Sequence, residues 1–223
     1  MSIQETTKGL ARATLYVACL SIGSLNLLAE TKTVKMVQTT ETQAQILFDQ
    51  AVTDFRMGLF EESAAKFDKV AMLLPKYAPQ LWQRGIVLYY VGRYNDCRKQ
   101  FESHRTVNPN DVENAAWHFL CVAHSESFDK AEAALLPVGY DRRLPMQHIY
   151  EMLKGSIDPT EVLEAAGMRP NAQFYAHLYV GLYFEALGNT ERAREHITVA
   201  AHNRYASTGG YMYMVARLHS ALP

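Results

Sequence analysis

GLFEESAAKFDKVAMLLP at residues 58–75 and GRYNDCRKQFESHRTVNP at residues 92–109 are the stretches whose comparison decides the fold. Gly58, Phe60, Ser63, Phe67 and Pro75 return 34 residues later as Gly92, Tyr94, Cys97, Phe101 and Pro109. A weaker third copy follows at Phe128, Ala131 and Leu135, each another 34 residues on. Recurrence at a fixed period of this size marks stacked supersecondary units. Each recurring residue has a task in a helix-turn-helix. Glycine ends a first helix in the left-handed conformation without steric cost. A small residue, Gly85 in a first helix or Cys97 in a second, lets the two helices touch. Proline stops the second helix because it has no backbone N–H to continue it.

Working outward, the recurrence places helix pairs near residues 44–75, 78–109 and 112–136. The third is degenerate, because Glu126 stands where glycine recurs and Pro137 arrives early. A further copy at 172–205 carries His177, Val180, Gly181, Phe184, Gly188, Ala193, Ile197 and Ala200. It is out of phase, since Gly188 lies 96 residues after Gly92. The intervening spacer, 138–171, reads as two short helices opened by Pro145 and Pro159, both good first-turn residues. After Ser207-Thr208-Gly209-Gly210, residues 209–223 read as a capping helix, which an open-ended stack requires. The fold class is all-α.

The 34-residue period and its order of small residue, aromatic and proline resemble the tetratricopeptide (TPR) repeat. LWQRGIVLYYVGRY, NPNDVENAAWHFLC and FYAHLYVGLYFEALGN, followed by GGYMYMVARLH, resemble segments of uncharacterised TPR proteins of bacteria and plant plastids. The order of repeats, spacer and final repeat is similar to the NlpI-type envelope lipoproteins. Those are dimeric adaptors, so the resemblance implies a scaffold that holds other polypeptides. The chain departs from that type in lacking a clean lipobox and in having one repeat fewer before the spacer.

A chain of 223 residues, 48% hydrophobic, has enough apolar side chains for a core. Its 22 basic and 23 acidic residues leave no electrostatic footprint for nucleic acid or an anionic membrane. At the amino terminus Lys8 and Arg12 precede an uncharged run from Ala13 to Ala29, shorter and more polar than a membrane span. Residues 1–29 therefore read as a signal or targeting segment, with 30–43 as a flexible linker. Export to a bacterial envelope or periplasm is the leading expectation; an organelle such as a plastid, or lipidation at Cys19, is the alternative. Cys97 and Cys121 both face the junction of the second and third repeats. They are read as two small buried hydrophobes, with pairing open to them in an oxidising compartment.

No Walker loop, GxGxxG, GxSxG or HExxH motif occurs. The expectation is no enzyme, no cofactor and no small-molecule substrate. His118, Cys121 and His124 step around a helix by threes, so their spacing drifts off one face and no metal site is expected.

The first helices of such units line a concave surface. In the second repeat Trp82, Ile86, Tyr89 and Tyr90 share one face at offsets 0, 4, 7 and 8. Phe48, Val52 and Phe55 correspond in the first repeat, Leu120 and His124 in the third. These nine residues are the expected peptide-binding groove, suited to an amphipathic helix or an apolar segment. A polar carboxylate clamp has no place where Phe48 and Val52 stand. The competing reading is a structural self-assembly module, a homodimer, whose groove is filled internally so that Tyr89 and Tyr90 are core residues.

Overall fold

In the computed structural model residues 24–222 are described, with side chains described from residue 39 onward. The leader reading of residues 1–29 thus falls outside the described residues, apart from the helical backbone that begins at Ser24. All regular structure among the described residues is helical, in consecutive packed pairs, and no strand occurs there. The all-α class expected from the sequence is the class observed. The chain divides into two compact units, separated between Gln80 and Leu81.

The first unit is built on α1 (Ser24–Arg56) and α2 (Phe60–Leu73), followed by a 3-10 turn at Ala78–Gln80. Residues 30–43, expected as a linker, are helical backbone within α1. Gly58, at φ 77°, makes the turn between the two helices. The Leu59 N–H reaches back to the Asp54 carbonyl at 2.9 Å, the bond that closes a helix C-terminus on a left-handed glycine. Phe48 meets Phe67 edge to face with ring centroids 5.5 Å apart. The buried Ser63 hydroxyl donates to the Ala51 carbonyl at 2.7 Å.

The second unit carries α3 (Trp82–Tyr90), α4 (Tyr94–His104), α5 (Val112–Ser125), α6 (Phe128–Ala133), α7 (Met146–Leu153), α8 (Pro159–Ala166), α9 (Pro170–Ala186), α10 (Thr190–Ala200) and α11 (Gly210–His219). The turn chemistry of α1–α2 recurs twice here. Gly92 and Gly188 have φ 70° and 81°. Arg93 N–H bonds to Leu88 O at 2.9 Å and Asn189 N–H to Phe184 O at 2.8 Å. Close helix contact also repeats at the 96-residue offset. A Cβ on Gly85 would lie 2.6 Å from Phe101 Cε2, and one on Gly181 would lie 2.8 Å from Ile197 Cγ1.

Helix starts follow from local side chains. Asp111 accepts from Glu113 N–H at 3.1 Å to cap α5, Ser127 from Lys130 N–H at 3.2 Å to cap α6, and Asn189 from Arg192 N–H at 3.1 Å to cap α10. Pro159 and Pro170 open α8 and α9, where the missing N–H costs nothing. The segment before α7 is fixed by Arg143. Its guanidinium contacts Asp111 and Asp141 at 2.6 Å each through Nη2, and Glu113 at 2.6 Å through Nη1. Tyr179 of α9 donates to the other Glu113 oxygen at 2.7 Å. Cys97 of α4 and Cys121 of α5 form a disulfide across Cα atoms 6.0 Å apart, a separation a disulfide spans.

Candidate functional site

The nine residues expected to line an open groove are mostly interior. Phe48, Phe55 and Ile86 have no exposed surface, Leu120 is 1% exposed, and Val52 and Tyr89 are buried as well. Trp82 and Tyr90 are half-buried, and His124 is exposed. Within the second unit the face expected to be an open groove is a covered one, and its cover is visible.

That cover is α11. The ring of Trp82 meets the ring of Tyr211 edge to face at 4.9 Å. Eight residues further along both helices, the Tyr90 hydroxyl lies 3.1 Å from His219 Nδ1. Both pairs are separated by the same 129 residues of sequence, so α3 and α11 run parallel and in register. Tyr211, Met212, Val215 and Ala216 form the buried stripe of α11, spaced as one helix face.

Helices α5 and α9 also run in the same direction, but without a shared register, since the pairs that join them are 66 and 61 residues apart in sequence. Glu113 meets Tyr179 near one end, and His124 lies 3.6 Å from Glu185 near the other. The C-terminal ends of α3, α5, α9 and α11 thus converge on the Glu185 carboxylate. Its Oε1 accepts from the Tyr89 hydroxyl at 2.9 Å, and its Oε2 lies 2.6 Å from His219 Nε2. Because the Tyr89 proton goes to Glu185, His124 Nε2, 2.8 Å from the Tyr89 oxygen, is the donor in that pair. His219 lies between the two, with Nε2 toward the carboxylate and Nδ1 toward the Tyr90 hydroxyl. Tyr94 stacks on His124 with centroids 5.1 Å apart.

Electrostatics follows from this placement. Burial alone would raise the Glu185 pKa, but hydrogen bonding from His124 and His219, the charge of His219 and the Tyr89 hydroxyl outweigh it. The carboxyl is held well below the ordinary carboxylate range. Tyr89 and Tyr90 move the other way, pushed up by burial first and by the Glu185 charge second. The site therefore holds one carboxylate among hydroxyls and imidazoles at the negative ends of four helices, where imidazole donors are the favourable partners.

Sequence reasoning placed Trp82, Tyr89, Tyr90 and His124 on one surface and missed Glu185, Tyr211 and His219. Glu185 sits in the register of α9 that corresponds to Tyr89 in α3, 96 residues earlier. That correspondence was the available signal. A second, half-buried pair lies apart from this site: His177 Nδ1 and His196 Nδ1 are 3.0 Å apart between α9 and α10. Burial first, then the neighbouring His196, lowers His177 to about 4.

A comparison of the chain with protein-family models finds no match.

Proposed function

We propose that the chain is a non-catalytic, TPR-type scaffold that binds other polypeptides, taking a helical segment on the aromatic face of its first helices. The observation that carries this reading is α11 lying along α3, with Trp82 against Tyr211 and Tyr90 against His219. An aromatic face that accepts a short amphipathic helix in register is the recognition mode of helix-in-groove binders. The polar cluster around Glu185 fits that reading as the orienting end of the seat: an ion pair and hydrogen bonds fix direction, while the rings supply buried area. Placement in an exported, oxidising compartment is supported by Lys8 and Arg12 ahead of the uncharged run and by the Cys97–Cys121 bridge.

Affinity recovery from the native compartment tests it, comparing the wild-type chain with Trp82→Ala and monitoring melting of both. Trp82 is only partly buried, so the variant keeps its fold while losing a ring from the seat. Partners that remain bound to a folded Trp82→Ala chain would overturn the reading.

A second reading is favoured by the interior position of Phe48, Phe55, Ile86 and Leu120. Here the aromatic face is permanently core and the chain is a self-assembling structural module. Light scattering that gives a tight homodimer, with no partner recovered, would select it.

A further inference from the structure

From the register of α11 on α3, we infer that α11 is an exchangeable occupant of its seat, and that it writes out the motif of an outside partner. That partner is an amphipathic helix carrying an aromatic residue, an aliphatic residue four positions on and an N–H donor eight positions on, laid parallel to α3. The inference rests on the scaffold reading in taking this face as a seat. Its test uses the chain's own helix and is decided whether or not an outside partner is ever recovered.

Three observations carry it. First, the motif is explicit in α11: Tyr211 against Trp82, Val215 fully buried, and His219 against Glu185 and Tyr90. Second, α11 is the last helix of the described chain and joins through a short turn, residues 206–209. Tyr205 and Gly209 are buried and anchor the turn at both ends, whereas Ala206, Ser207 and Gly210 are exposed, and Gly210 takes φ 53°. Release of α11 gives up the Phe174–Tyr213 ring contact, with centroids 6.4 Å apart, while Phe174 keeps its packing on Tyr205 at 5.8 Å. Third, the resident helix leaves the seat incompletely satisfied. The Trp82 indole Nε1 is shielded from solvent and finds no hydrogen-bond acceptor among the described residues. An incoming helix with a side-chain acceptor beside its aromatic residue would complete a bond that α11 does not make, and a buried donor gains from being paired.

A seat occupied from within weakens an outside ligand by the fraction of time it stands open, and loosening the resident helix strengthens it. The probe is a fluorescent peptide of residues 207–223, titrated by anisotropy into the full chain and into two full-length variants, Tyr211→Ala and His219→Ala. Each loosens one end of α11 and leaves α3 unchanged, and circular dichroism checks that each is folded. The expected result is binding about tenfold or more tighter to the variants than to the wild type. A control peptide carrying both substitutions should bind at least about tenfold more weakly than the native peptide. Equal affinity for wild type and folded variants, or equal affinity of native and control peptides, would overturn the proposal. A wild-type chain that is already dimeric, and is made monomeric by Tyr211→Ala, would overturn it in favour of helix exchange between two copies.

Discussion

The Tyr89 hydroxyl donates to the Glu185 carboxylate at 2.9 Å across 96 residues of sequence, and in doing so joins the end of α3 to the end of α9. A hydrogen bond to a charged acceptor contributes about 1.5–3 kcal/mol. Tyr89→Phe, which keeps the ring and removes the bond, should lose about that much in urea unfolding. Tyr89→Ala removes a ring packed against Trp117 and Tyr90 as well, and should lose about 3–5 kcal/mol. A Phe variant as stable as the wild type would show that the hydroxyl adds no net stability.

Gly85 and Gly181 mark equivalent close approaches, but the neighbours differ in how far they can yield. A methyl at 85 meets the distal atoms of the Phe101 ring, whereas one at 181 meets the Ile197 side chain and, at 3.1 Å, its backbone nitrogen. Overpacking of this kind costs about 1–3 kcal/mol. Gly181→Ala should fall at the upper end and Gly85→Ala at the lower. Thermal melting of the two variants decides it, and the reverse order would contradict the geometry.

Acid should act in two windows. His177 is lowered to about 4 in the folded chain, against an ordinary value of about 6.5, so the unfolded chain binds more protons between those values. Stability from keeping this imidazole neutral is fully present above about pH 6.5 and is lost as pH falls toward about 4. Discounted for its partial exposure, the loss is on the order of 1 kcal/mol. Glu185 is depressed, so its contribution is present above about pH 4.3 and is lost only as pH falls further. Urea midpoints against pH should flatten in the upper window for His177→Asn and in the lower one for Glu185→Gln. Unchanged slopes would show that these groups do not set the acid response.

The Cys97–Cys121 bridge makes a count. Cys19 lies in the expected leader, so thiol titration in denaturant should rise by about two thiols per chain on reduction, from none to two without residues 1–29 and from one to three with them. Purification from an oxidising compartment is the condition for the experiment. No rise on reduction would mean that the pair packs as free cysteines.

The helix pairs were legible because their determinants are local. Gly58, Gly92 and Gly188 each close a helix end through a bond spanning five residues, and a fixed period exposes such chemistry directly. The apolar face of α3 was legible for the same reason, since offsets of 0, 4, 7 and 8 fall on one side of any helix. What covers that face was not. Tyr211 and His219 are 129 residues from their partners, and no local pattern encodes which of several amphipathic helices lies on which. Glu185 resembles the solvated end of a helix until its three partners, from α3, α5 and α11, are placed around it.

The registered contact of α11 with α3 also changes how the second unit should come apart. A linear stack in which each pair touches only its neighbours frays from its ends and melts in stages. In the second unit the first helix and the last hold each other at two points, and Glu185 ties both to the middle. Opening of residues 81–222 then begins at α11, and its lifting removes one side of the restraint on α3 and on Glu185. Amide hydrogen exchange should be faster in α11 than in α3, α5 and α9, and those three should lose structure together.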